Sequence, residues 1–186
     1  MNITKAQKND SAFIARLIMM AMTDDCCQNL AGEHKTLEDF AAMMKYLVEM
    51  EDSQYSYRNT LIARTDEGEK AGVCVSYKGE DLHRLRQRFI EQAARQLDRD
   101  FSSMPDETGA GELYIDSLAV LPNFRRQGIA TALLQAAVKK AEDLGMPAGL
   151  LVDAGNPKAE RLYKEVGFKF VNDTAWAGHP MRHLQK

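Results

Sequence analysis

Residues 112–131, ELYIDSLAVLPNFRRQGIAT, constrain the fold more than any other stretch. The segment opens as a β-branched and aromatic run, turns at Leu121-Pro122-Asn123 and ends in Arg125-Arg126-Gln127-Gly128-Ile129-Ala130. An amphipathic helix follows at once, with Leu133, Leu134, Ala137, Val138 and Ala141 at helical spacing, and Gly145 with Pro147 stops it. Strand, turn, basic glycine-containing loop and helix start form an arrangement able to hold a polyphosphate. The first amides of a helix lack intrahelical partners, and the helix dipole favours an anion there. Gly128 lets such a ligand approach the backbone. The loop lacks the paired glycines and ribose-binding acid of a dinucleotide fingerprint, and also the Gly-Lys-Ser/Thr of a phosphate loop. With no carboxylates beside it to carry Mg²⁺, it suits a pyrophosphate that is held as a handle and not cleaved.

The remainder of the chain alternates between strand and helix signals. Residues 2–6 read as a short strand, and Asp10 as the N-cap of a helix over 11–22 carrying Phe13, Leu17, Ile18 and Ala21 on one face. Residues 23–35 read as a polar loop. Thr36 to Asp39 form a capping-box pattern opening a helix to about Met50. Residues 59–64 and 71–77 are β-rich runs joined by the turn residues 66–70, a hairpin signal. Residues 81–100 form a charged amphipathic helix. Leu82, Leu85, Phe89, Ala93 and Leu97 line its apolar face, while Arg84, Arg86 and Arg88 read as solvated; a connector over 102–111 follows. Leu150-Leu151-Val152 fits a strand buried on both faces. Asn156-Pro157 opens a short helix that ends at Gly167, and Phe168–Val171 and a strand within 175–184 close the chain. The expected fold class is α/β: one domain over 1–186, a mixed sheet of about six to seven strands flanked by helices, with an extra helix before the central strand.

Charge and cysteine content narrow the partners. The net charge of −3 lacks the basic excess of a general nucleic-acid binder. It divides into −5 over residues 1–110 and +2 over 111–186, so the anion loop lies in the basic half. Three cysteines, with Cys26 and Cys27 adjacent, make neither a disulfide framework nor a metal motif and point to a reducing compartment. The first ten residues carry no apolar leader and no run reaches membrane-spanning length, so a cytoplasmic protein without a membrane partner is expected.

The stretch LYIDSLAVLPNFRRQGIATALL resembles the acetyl-CoA-binding motif of the GCN5-related N-acetyltransferases, whose signature is Arg/Gln-x-x-Gly-x-Gly/Ala. Asn156 to Phe168 resembles the family's later motif, in which Asn, Ala, Tyr and Gly-Phe recur at this spacing. Asp10–Ala21 resembles its first helix. The two motifs cover residues 112–170, and the N-terminal half matches in element order alone.

The resemblance implies the acyl-CoA N-acyltransferase fold, in which the central strand splays from its parallel neighbour and the pantetheine arm enters the gap. The backbone of Leu118, Ala119 and Val120 would pair with that arm as an added strand would. The same amides can polarise the thioester carbonyl, a role worth roughly 3 kcal/mol per donor. Arg125, Arg126, Gln127, Gly128, Ile129, Ala130 and Thr131 would hold the pyrophosphate, and Asn156 and Tyr163 complete the cofactor set. The implied activity is direct transfer from acetyl-CoA to a primary amine in a ternary complex. Tyr163 falls where the family's general acid lies. Asp116, two residues before the thioester-binding backbone, either takes the amine proton or orients the substrate. Glu112 shares its face if alternation holds, a bulge would break that relation, and Asp153 is a further carboxylate. A non-catalytic acyl-CoA-binding or regulatory module would share the loop but not need Tyr163 with Asp116.

Other features carry less. His179 and His183 would stand about 13 Å apart on a strand, so no metal site is expected. Cys26 has no neighbouring base in sequence. Asp24, Asp25 and Glu33, with the helix near 81–100, could wall an acceptor site, or simply be solvated. The C-terminal strand could pair across a homodimer.

Overall fold

The computed structural model describes residues 1–176 and 178–186. Its strands are β1 (Asn2–Lys5), β2 (Thr60–Arg64), β3 (Lys70–Lys78), β4 (Leu113–Val120), β5 (Ala148–Asp153), β6 (Lys169–Trp176) and β7 (His179–Gln185). They form one seven-stranded sheet in the order β1-β2-β3-β4-β5-β7-β6. Every pairing is antiparallel except β4 with β5. The helices are α1 (Ser11–Met22), α2 (Asp24–Ala31), α3 (Leu37–Glu49), α4 (Leu82–Gln92), α5 (Ile129–Asp143) and α6 (Pro157–Val166). Among the described residues no helix is long and apolar enough to cross a membrane.

Alternation along the central strands builds a core on each face. Val73 and Val75 of β3 pack with Ile14, Leu17 and Ile18 of α1 and Phe40, Met43 and Met44 of α3. Cys74, between the two valines, points the other way, onto Leu133, Leu134 and Ala137 of α5. Full burial of such aliphatic and aromatic side chains contributes about 1.5–3 kcal/mol each, and clamps the sheet between helical layers.

Two irregularities position everything that follows. The β4–β5 pairing consists of Leu113↔Ala148 and Tyr114↔Gly149 and goes no further, so the parallel strands part after Tyr114. On its other side, β4 has Ser117 opposite Val75 and Ile115 opposite Ser76, which leaves Asp116 as the extra residue of a bulge. The bulge inverts the alternation: Leu113 and Ile115 pack towards α5 before it, Leu118 and Val120 after it. Lys140 of α5 donates to the carbonyl of Ser76 at 2.9 Å and to its hydroxyl at 3.1 Å, which satisfies the backbone opposite the bulge.

Four local expectations need correction. Residues 23–35 are not all loop, because Thr23 caps α2 through its side chain. Polar residues without a clear period hid that short helix of about two turns. Asp10 stands at the start of α1 but does not cap it; its carboxylate accepts from the amide of Gln7 at 2.9 Å and pairs with Lys70 at 2.6 Å and Arg64 at 3.3 Å. The helix expected over 81–100 is α4 plus one π-helical turn, Ala93–Leu97, ended by left-handed Asp98. Of the last strand expected within 175–184, Ala177 lies outside the described residues; β6 ends at Trp176 and β7 begins at His179. The capping box at Thr36 and Asp39, by contrast, is formed in full.

Candidate active site

Where β4 leaves β5, two cavities open side by side. The first, of about 410 Å³, is lined by Leu118, Ala119 and Val120 of β4, by Arg125, Arg126, Gly128, Ile129, Ala130 and Thr131, and by Leu162 and Tyr163 of α6. The second, of about 340 Å³, is lined by Tyr114, Asp116 and Ser117 of β4, by Tyr55 and Glu107, and by Asp153, Asn156 and Trp176. Ala21, Leu118, Ala159 and Tyr163 belong to both. A ligand lying along the unpaired edge of β4 in the first cavity therefore ends beside Tyr163, and a second ligand can meet it from the other.

The loop after β4 is shaped for an anion. Arg126 is left-handed at φ +60°, unusual for a residue with a side chain, and Gly128 follows at φ +76°. Alternating backbone handedness of this kind turns successive amides towards one point, a concavity that binds anions. A Cβ added at Gly128 would meet no protein atom within 4 Å, so the space beside the glycine belongs to whatever occupies the cavity. Arg125 folds back, donating from Nε to the carbonyl of Val120 at 3.1 Å, and so fixes the loop to the end of the strand. These features fit the pyrophosphate and pantetheine of a coenzyme A thioester: an amide cradle, a free strand edge and an apolar trough in sequence.

Two sequence-selected residues lie elsewhere. The side chain of Gln127 donates to the carbonyl of Asn123 at 3.2 Å, outside the first cavity's lining. Asn156 caps α6, accepting from the amide of Ala159 at 3.1 Å, and lines the second cavity. Glu112 serves the sheet: buried, it accepts from Thr108 at 2.6 Å, contacts His183 at 2.8 Å and accepts from Gln185 at 2.8 Å. His179 lies 3.7 Å from Asp153, so the two histidines serve different carboxylates.

Asp116 sits at the floor of the second cavity. Its Oδ1 accepts from Ser117 at 2.7 Å, and its Oδ2 from Tyr77 at 3.3 Å and Gln54 at 3.4 Å. Burial pushes its pKa above the ordinary value, and those donors do not fully offset the effect. Tyr163 packs edge-on against Phe168, and burial pushes its pKa up to about 12, with Cys74 adding to the shift. The cleft thus pairs a carboxylate readier than usual to accept a proton with a phenol that keeps its own.

The Acetyltransferase (GNAT) family model matches residues 28–168. The chain belongs to the GNAT acetyltransferase family. A solved acetyltransferase structure is 30% identical, covers all of this GNAT chain and 98% of its own, and superposes with a TM-score of 0.82. An N-acetyltransferase from Staphylococcus aureus Mu50 shares the fold at a TM-score of 0.81 and 23% identity over both whole chains. Among curated relatives, a mycothiol acetyltransferase of Propionibacterium freudenreichii is 30% identical over 54% of this chain and 36% of its own length. An N-alpha-acetyltransferase of Sulfurisphaera tokodaii is 43% identical over 31% of this chain and 36% of its own. The GNAT chain therefore spans about a third of the length of these curated relatives.

Sequence reasoning missed the shell behind Asp116: Gln54, Tyr77, Glu107 and Arg86. One signal was present. Leu82, Arg86, Phe89 and Ala93 form a helical stripe, so Arg86 occupies an apolar face, not the solvated one assigned to it. It is 3% exposed and paired with Glu107.

Proposed function

We propose that this chain is an N-acetyltransferase that passes an acetyl group from acetyl-CoA directly to a primary amine, both bound at once. The observation that carries the reading is the meeting of the two cavities at Tyr163, with Asp116 in the second. Bound acetyl-CoA supplies the activated thioester. The amides of Arg126 to Thr131 take the pyrophosphate, and the free edge of Leu118, Ala119 and Val120 aligns the pantetheine.

Glu107, Asp116 and Asp153 line the second cavity, and neither Lys nor Arg is among its described lining residues, which favours a cationic amine. Such an amine attacks only after losing a proton. Asp116 takes it, aided by the burial that makes it more basic. As the C–N bond forms and the C–S bond breaks, the electron pair leaves on sulfur and Tyr163 donates its proton there. The surplus proton on nitrogen then restores the phenol, leaving amide, thiol and protonated Asp116. A phenol pushed up to about 12 is a weak acid, yet the same burial destabilises a thiolate and raises its demand for a proton.

The test is free-thiol release over a panel of amines, run beside mass detection of the acetylated product. Tyr163→Phe is expected to lower kcat by on the order of 100-fold while CoA affinity holds. No turnover with any amine in the parent protein would leave an acyl-CoA-binding module instead.

A further inference from the structure

We propose that Arg86 and Glu107, brought to the site by α4 and the segment that follows it, set the protonation state of Asp116 through the shared hydroxyl of Tyr77. The inference rests on the reading of Asp116 as the base.

Tyr77 stands between two carboxylates, 3.1 Å from Oε1 of Glu107 and 3.3 Å from Oδ2 of Asp116. A phenol has one proton, so it serves one of them at a time. The other oxygen of Glu107 accepts from Arg86, which also donates to the carbonyl of Met104 and to Asp106, each at 3.1 Å. A guanidinium fixed there is a charge-assisted partner for the Glu107 carboxylate. Arg86 then offsets the buried Glu107, while its other carboxylate partner, Asp106, is half-exposed to solvent; the buried negative charge left without a cation is that of Asp116. Without Arg86, two carboxylates bridged by one hydroxyl would share a proton, as like charges in one buried site do.

Packing alone does not account for Arg86. Its Nε is buried without a partner among the described residues, and an apolar side chain would complete the Leu82–Phe89–Ala93 stripe without that loss. Nor do the other groups around Asp116 supply the charge control. Tyr55, Tyr77, Tyr114 and Tyr163, with Cys26 and Cys74, are all pushed upward by burial and stay neutral near pH 7. Gln54 and Ser117 donate hydrogen bonds without titrating. Asp153 lines the same cavity from β5 and lies outside the Tyr77 relay.

The test is a ¹³C-carboxylate NMR titration of the full chain labelled at aspartate, with the Asp116 signal assigned by its loss in Asp116→Asn. Arg86→Met is expected to move the Asp116 midpoint up by about one pH unit, and Glu107→Gln, which leaves Arg86 with the half-exposed Asp106 as its carboxylate partner, down by a similar amount. The double variant is expected to return it close to the parent value. Midpoints unmoved in both single variants, or moved in the same direction, would overturn the proposal and leave the pair a structural tie. If Arg86→Met fails to fold, the downward shift in Glu107→Gln decides alone. Asp116→Asn that kept full turnover would remove the base reading, an outcome distinct from unmoved midpoints.

Discussion

At Gly128 the protein leaves room that it does not use. A side chain there meets no protein atom, so within the protein what opposes it is the positive φ, at about 1–2 kcal/mol, and on the proposed reading the pyrophosphate opposes it too. Gly128→Asp should therefore fold, yet place a carboxylate against the pyrophosphate and weaken CoA binding by on the order of 100-fold or more. Isothermal titration reads this directly, and an unchanged affinity would move the pyrophosphate elsewhere. Asp116 poses the opposite case, a residue kept at the fold's expense. Its pKa is raised by burial, so above that pKa the folded chain holds a charge that the unfolded chain solvates better. Asp116→Asn should raise the melting temperature at pH 7 while cutting turnover. A fall in melting temperature would show that its hydrogen bonds outweigh its desolvation.

The gap between β4 and β5 is made by two elements acting together, a bulge at Asp116 and a crossing at Gly149. A Cβ on Gly149 would collide with the carboxylate of Glu112, which reaches across β5 to His183 and Gln185. Since Gly149 is the last residue of β5 paired with β4, the same crowding marks where the strands part. Gly149→Ala should cost about 1–3 kcal/mol in urea unfolding, with loss of cofactor affinity in proportion to the fraction unfolded. The helix start after Gly128 and the Asn156-Pro157 cap were legible in the sequence because both are local chemistry, read within a few residues of the chain. The bulge was not, since it exists as a register between Ser117 and Val75, two strands remote in sequence. Arg86, Glu107 and Tyr77 meet only because α4 folds back over the sheet. No spacing encodes that encounter, although the apolar stripe under Arg86 hinted at a buried partner.

Across the whole molecule, buried carboxylates tie together segments that the hydrophobic cores leave independent. Asp10 joins the start of α1 to the β2–β3 hairpin through Arg64 and Lys70, and Glu112 joins β4 to β7. Burial by itself would raise both pKa values, but Lys70 and the Gln7 amide outweigh it for Asp10, and His183, Thr108 and Gln185 for Glu112. Both therefore titrate below their ordinary values in the folded state. Groups of that kind contribute stability that is complete above the unfolded pKa, near 4, and lost as pH falls through the lower folded value. Asp116 runs the other way, because protonating it on the way down from neutral pH relieves the folded state. The urea midpoint should thus hold or rise slightly from pH 7 towards 5 and fall steeply below about 4. Asp10→Asn separates the contributions: its midpoint should lie below the parent's at pH 7, and the two curves should converge as pH drops and the parent's own Asp10 becomes neutral. Curves that stayed parallel down to the lowest pH would assign the loss to packing around position 10, and not to the charge that Lys70 and Arg64 hold in place.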